Sequence, residues 1–467
     1  MNKMAIAAVV LAVGAGGYLL TQQGASVGTS DPMLDYIPAD TLAFSGQLAP
    51  FPLKDYLYSI AGNYQAQGLD ELLQIDDSSS PQERFFVSLY KQYMTLLPTP
   101  DALLSTYGLA DSIKSYFYTL GALPVMKTQL SNPAAFWLEL DRAEQESGLV
   151  HTKGNAGGSE YRAYALTDAD DKEQINLIFA EKQGWLTVTL NTSVNDVALL
   201  ETALGEKKVD NPLSGTTMLQ DIASAHGFMQ DSISFINHVE LVKGLTTTDG
   251  NMLAKQISKM AEIQGEDPLA EFKTPTCQTE FAAIAANWPR TVMGLNSYSI
   301  SRAESTIDAA VVVESNNQVI LSALNKMRGF IPSFSNNDHE NILSLGLGMD
   351  VNQLAPALNE IWKDLQTPSY QCEALAQLQG ELDDLNPAMV GMMTGMANGR
   401  DDLMLGSDGQ IARKKQHDAD VAAQVEPTVP GVTRSVGRPK PDPARAGTVG
   451  AQVGLERLGS MLASAAP

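Results

Sequence analysis

Ile113-Lys114-Ser115-Tyr116-Phe117-Tyr118-Thr119-Leu120-Gly121-Ala122-Leu123-Pro124-Val125-Met126-Lys127-Thr128-Gln129-Leu130 is the stretch on which the fold turns. Two runs rich in aromatic and aliphatic residues are broken at Gly121-Ala122, which predicts strands over 113–120 and 123–130. Ser131-Asn132-Pro133 follows, an N-cap residue and a proline suited to the first helical turn, and opens an amphipathic helix to about Ser147. Strand, turn, strand and helix in this order specify an α+β fold of antiparallel hairpins with packed helices.

Working outward, 149–153 and 161–166 flank Gly154-Asn155-Ala156-Gly157-Gly158, and 175–181 and 185–190 flank Lys182-Gln183-Gly184, so two more hairpins are expected. Upstream, residues 41–48 alternate as a half-buried strand does. Between that strand and 113–120 lies 52–110, where Phe85, Phe86, Leu89, Tyr90, Tyr93, Met94 and Leu97 recur at helical spacing until Pro98 and Pro100 stop the run. This segment reads as a helical insertion.

A weak internal duplication emerges further along. Strand 185–190, the break Asn191-Thr192-Ser193 and helix 194–204 resemble strand 308–313, the break Glu314-Ser315-Asn316 and helix 318–327. Strand 232–237 and a helix from Val239 parallel strand 342–349 and a helix from Val351. Each series then reaches Thr-Pro and a cysteine, Thr274-Pro275-Thr276-Cys277 and Thr367-Pro368-Ser369-Tyr370-Gln371-Cys372. The expected organisation is a first α+β domain over 34–250, including the insertion, and a second α+β repeat over 251–399.

The N-terminus carries an address. Met1-Asn2-Lys3 leads into 4–20, which holds no charge, and a polar spacer follows. A basic start and an apolar run are the pattern of an export signal. As a helix the run spans roughly 26 Å, near the lower limit for a hydrocarbon core of about 30 Å. The segment 1–26 is therefore expected either to anchor the chain in the bacterial cytoplasmic membrane, with 27–33 as spacer and the body in the periplasm, or to be cleaved. Cys277 and Cys372 are the only cysteines. An even pair in an exported chain predicts a disulfide. The net charge of −23 repels phosphate backbones and excludes nucleic acid as a partner.

Residues 400–467 are different material. They contain no aromatic residue, they are rich in proline, and nine Lys/Arg stand against eight Asp/Glu. Without aromatics the segment buries too little surface to offset chain entropy, and a disordered tail is expected, either native or a frame-shifted end.

The patterns Tyr116-Phe117-Tyr118-Thr119-Leu120-Gly121-Ala122-Leu123-Pro124-Val125, Asn132-Pro133-Ala134-Ala135-Phe136-Trp137 and Gly184-Trp185-Leu186-Thr187-Val188-Thr189-Leu190 followed by a helix give 112–245 a further meaning. In them the chain resembles an uncharacterised family of bacterial extracytoplasmic proteins named only as a domain of unknown function. The resemblance implies an envelope protein with no established activity or cofactor. The helical block 52–110 and the tail depart from that family.

Catalytic signatures are sparse. Ser88-Leu89-Tyr90-Lys91 matches the spacing of a serine and its lysine base, without the companion motifs. His339 stands between Asp338 and Glu340, which suits a solvated turn as well as a metal ligand; His226 and His238 read as half-buried, and His151 as the polar tip beside a hairpin. No cofactor or metal is expected. Residues 51–120 hold twelve of the thirty-one aromatic residues, and Tyr56, Tyr58, Tyr64, Tyr90 and Tyr93 are candidates to line a wet groove for a peptide, glycan or lipid, with Tyr56 and Tyr64 expected to be exposed; the alternative is that Phe85, Phe86, Tyr90 and Tyr93 form the buried stripe of a helix. The leading expectation is a non-enzymatic envelope protein that binds another envelope component through its helical insertion. The alternatives are a periplasmic hydrolase with an unrecognised site and a self-assembling structural module.

Overall fold

The computed structural model describes residues 31–61, 79–167, 174–193, 195–329, 348–383, 402–405 and 411–413. Strands β1 (Ala43–Gln47), β2 (Ser115–Leu120), β3 (Leu123–Gln129), β4 (Thr152–Ala156), β5 (Ser159–Ala165), β6 (Ile175–Lys182), β7 (Trp185–Thr192), β8 (Ser232–Asn237), β9 (Arg290–Ile300) and β10 (Ser305–Val313) form one antiparallel sheet. Their spatial order is β10-β9-β8-β1-β2-β3-β7-β6-β5-β4. Helices α1 (Leu53–Ala61), α2 (Pro81–Leu96) and α3 (Pro100–Tyr107) lie between β1 and β2 in the chain. Then α4 (Pro133–Ser147) follows β3, α5 (Val197–Leu204) follows β7, and α6 (Met218–His226), α7 (His238–Thr246) and α8 (Met252–Gln264) flank β8. The mixed helix and antiparallel-sheet class read from the sequence is the observed one. Among the described residues no helix is long and apolar enough to cross a membrane, and the expected anchor over 1–26 lies outside them.

Local chemistry explains the hairpins. Leu120 pairs with Leu123, so Gly121-Ala122 is a two-residue turn, and Gly121 takes φ +62°. Gln183 and Gly184 take φ +52° and +80°, the left-handed pair that a tight turn of this kind needs. The third hairpin differs from expectation, because its turn is Gly157-Gly158 and β4 runs straight through Gly154. A β-carbon at Gly154 would stand 2.2 Å from the Tyr161 ring, so that glycine lets a ring lie across the strand instead of turning the chain.

The insertion is part of the core. Ser80 and Glu83 cap α2 reciprocally, and its Phe85 is fully buried. The Phe85 ring stacks on Tyr164 of β5 at 4.7 Å and joins Phe136, Leu140 and Ala143 of α4 with Leu177, Phe179, Leu186 and Val188 of the sheet. The expectation that the sheet closes independently of 52–110 is corrected here: β1 and β2 do pair directly, but α2 and α4 together cover one face of β7-β6-β5. Strand alternation sends Ala163, Ile178 and Ala180 to the opposite face, where Leu200 and Leu204 of α5 cover them.

The chain divides into two compact units, Met1–Lys273 with Arg290–Ala309 and Thr274–Pro289 with Ala310–Pro467. The boundary expected at 250–251 does not coincide, because Leu253 of α8 packs on Gly244 of α7 and keeps that helix in the first unit. In the second unit Thr274 caps α9 (Pro275–Asn287), and α10 (Gln318–Lys326), α11 (Val351–Leu365) and α12 (Glu373–Asp383) follow. Cys277 and Cys372 form the expected disulfide, with Cα atoms 4.7 Å apart. Glu280, one turn beyond Cys277, accepts the N–H groups of Gln371 and Cys372, each at 2.9 Å, so bond and cap hold the start of α12 together. Strand β11 (Gly348–Asp350) pairs with β12 (Asp402–Leu405), which pairs with β13 (Ile411–Arg413). The tail expected to be irregular thus contributes two short strands. Apolar Leu403-Met404-Leu405 followed by Gly406-Ser407-Asp408-Gly409 is a hairpin signal that composition over the whole tail obscures.

Candidate functional site

Among the described residues the tyrosines of this cluster divide between the core and the surface. Tyr56 is buried at 6% exposure, its ring 5.7 Å from Phe51, and burial pushes its phenol well above the ordinary range. Tyr93 packs with Leu57, Leu97, Leu103 and Leu104 and meets Tyr107 edge-on at 6.4 Å. Tyr90 is half-buried on α2, and burial raises its phenol too. Tyr58 gives its hydroxyl proton to Asp101, which Lys54 also reaches at 2.8 Å, while the Arg302 guanidinium lies over its ring at 4.9 Å. Tyr64 lies outside the described residues, as does His339. Of the two readings of this cluster, the buried stripe describes Tyr93, and the expectation that Tyr56 is exposed is corrected, since its ring packs beside Phe51 in the core.

The motif serine is committed elsewhere. Ser88 donates to Glu146 at 2.6 Å and accepts from Arg142 at 3.0 Å, which ties α2 to α4. Glu144 binds His151 Nδ1 and the Tyr164 hydroxyl, each at 2.6 Å, and joins α4 to β5. His238 contacts Thr291 at 3.1 Å, and the His226 ring lies against Phe228. These groups bond layer to layer.

A buried lysine breaks the pattern, and it was not among the expected site residues. Lys127 of β3 is 3% exposed and follows Leu123 and Val125 in phase, so the strand itself turns its amine into the buried face. Directly across β7 is Thr187, 2% exposed, whose Oγ1 accepts from Lys127 Nζ at 2.8 Å. Among the described residues Lys127 has no ion pair with a carboxylate. Desolvation first, and the nearby Lys182 ammonium second, depress its pKa to about 7.

The surroundings of this amine are set by the end of α5. Gly205 terminates that helix at φ +82°, a left-handed cap. Lys182 of β6 donates to the Gly205 carbonyl at 3.4 Å and pairs with Glu206 at 2.9 Å; Glu206 also accepts from Ser159 of β5. On β2, Tyr116 stands across from Lys127 but gives its hydroxyl proton to Asp31 at 2.7 Å. A β-carbon built on Gly205 would stand 3.6 Å from Lys127 Nζ, with no other non-neighbouring heavy atom within 4 Å. The glycine thus leaves a volume of about one methyl group open beside a buried amine. The sequence signal for this site was present, since a lysine in phase with two buried aliphatic residues of a strand has nowhere to go but the core.

No family model matches the chain, and the searches of curated proteins and of solved structures found no match.

Proposed function

We propose that the chain is an exported, non-enzymatic protein of the bacterial cell envelope, held at the periplasmic face of the cytoplasmic membrane by residues 4–20 and binding another envelope component through its body. The observation that carries this reading is the Cys277–Cys372 disulfide, because such bonds persist in oxidising compartments and this one uses every cysteine in the chain. The uncharged N-terminal run and the resemblance of 112–245 to extracytoplasmic proteins point the same way. The engagement of Ser88 by Glu146 and of His151 by Glu144 supports a non-enzymatic body over a hydrolase, since both potential catalytic groups serve as joints between layers.

The stretch from β10 to α12 reads as a divergent copy of the stretch from β7 to α9. In both, a strand leads to a helix (β7 to α5, β10 to α10), and a second strand runs straight into a helix capped by its last residue. Asn237 caps α7 and Asp350 caps α11. Thr274-Pro275 then opens α9, which holds Cys277 in its first turn, and Thr367-Pro368 and Cys372 precede α12.

The test takes protein from its native compartment and alkylates it without reduction. No label on either cysteine, with the chain sedimenting with membranes, is the expected result, and two alkylated cysteines in a cytosolic fraction would overturn the reading. Cross-linking of the exported body in envelope extracts then identifies the partner.

A further inference from the structure

We propose that Lys127 is a carbon dioxide site, at which its amine forms a carbamate held by Lys182 and Thr187. Three features of the chamber lead there. The amine is buried with one hydroxyl partner and no carboxylate among the described residues, so nothing holds it as an ammonium ion. The open side of Gly205, with room for about one methyl group, is too small for larger aldehydes or acyl groups and leaves the smallest carbonyl electrophile. And Lys182, a like charge that repels the Lys127 ammonium, becomes a counter-ion once Lys127 is acidic.

The chemistry balances without a further reagent. The Nζ lone pair attacks the carbon of CO2, an N–C bond forms, one C=O π bond becomes a carboxylate oxygen, and one nitrogen proton leaves to solvent. The net change is R–NH2 + CO2 giving R–NH–CO2− and H+. Only the free base reacts, and an ordinary lysine at pH 7 is free base in roughly one molecule in a few thousand. Lys127, with its pKa brought to about 7, is half free base at that pH. The Lys182–Glu206 pair and the Gly205 carbonyl face the same chamber, so Lys182 would exchange part of its contact with Glu206 for the carbamate oxygens, and the Thr187 hydroxyl would turn from acceptor to donor.

The full chain is equilibrated with 13C-bicarbonate at pH 8, examined by 13C NMR, and trapped with a trialkyloxonium salt for peptide mapping. One carbamate resonance is expected, with the trapped carboxyl group on the peptide containing Lys127. Lys127→Met should remove both while leaving the circular dichroism of the fold in place. Lys182→Met should keep the fold and lower occupancy about tenfold at equal CO2, the effect of losing one close counter-charge. Absence of the trapped group from folded wild-type protein, equal labelling of surface lysines, or unchanged occupancy in Lys182→Met would each overturn the proposal. A water molecule filling the volume opposite Gly205 would give the first of these results.

Discussion

The two faces of the β3-β7-β6-β5 segment are built on opposite solutions. On one, Phe85, Phe136, Tyr164 and Phe179 interlock beneath two helices, and the buried polar atoms are satisfied, as where Tyr164 meets Glu144. On the other, small residues such as Ala163 and Ala180 lie under the short helix α5, and Lys127 is buried with the Thr187 hydroxyl as its hydrogen-bond partner among the described residues. Strand alternation permits both on the same strands. A face dense in aromatic rings stabilises through area and packing, whereas a face of small residues leaves the space in which an uncompensated amine can sit. The first face is therefore where stability resides, and the second where chemistry is available.

Phe85→Ala tests the first face most severely. Loss of a fully buried ring from the stack with Tyr164 should cost about 3–5 kcal/mol in urea unfolding of the body. If the helical insertion were a separable appendage, the main transition would not move. Lys127→Met should have the opposite sign. In CO2-free buffer at pH 7 it should stabilise by on the order of 3 kcal/mol, since the amine pKa in the folded chain, about 7, lies below the ordinary 10.5. Between those values the unfolded chain binds a proton that the folded chain lacks. Wild-type stability should accordingly rise from about pH 7 toward pH 10.5, with the full penalty present below pH 7. The variant should lack this slope, and parallel pH profiles would show that Lys127 is charged in the fold.

Smaller effects sharpen the boundary between the faces. Lys182→Ala removes a partly exposed pair with Glu206 and should cost less than about 1 kcal/mol in chemical denaturation. A larger loss would mean that the rim of the amine chamber is structural. Tyr58→Phe on the surface of α1 should leave the melting temperature unchanged, in contrast to Tyr56→Ala, whose ring is buried beside Phe51 and whose loss should lower it by several degrees.

Much of the architecture was legible because local signals agreed. Gly121-Ala122 and Gln183-Gly184 are turn sequences, Asn132-Pro133 starts a helix, and the alternation around Tyr116 and Tyr118 matches strands with one buried side. The hairpin at Gly157-Gly158 was misplaced because Gly154 serves a cross-strand ring, a reason that exists only once Tyr161 is opposite. The expected tyrosine groove misled for a related reason. Helical spacing says that Phe86, Tyr90 and Tyr93 share a side of their helix, but not whether that side meets water or another helix.

The amino-acid order by itself determined most element types, the positive-φ turns at Gly121 and Gln183-Gly184, the presence of a single cysteine pair and the in-phase placement of Lys127 with Leu123 and Val125. These depend on residues a few positions apart or on composition. Only the tertiary structure decided that α2 is core, that Ser88 is held by Glu146 and Arg142, and that Lys127 meets Thr187, Lys182 and the open side of Gly205. The hydrogen bonds among those outcomes join groups 54 to 60 residues apart. Their contact energies arise only after the sheet has fixed which strands are neighbours, and no local pattern encodes that choice.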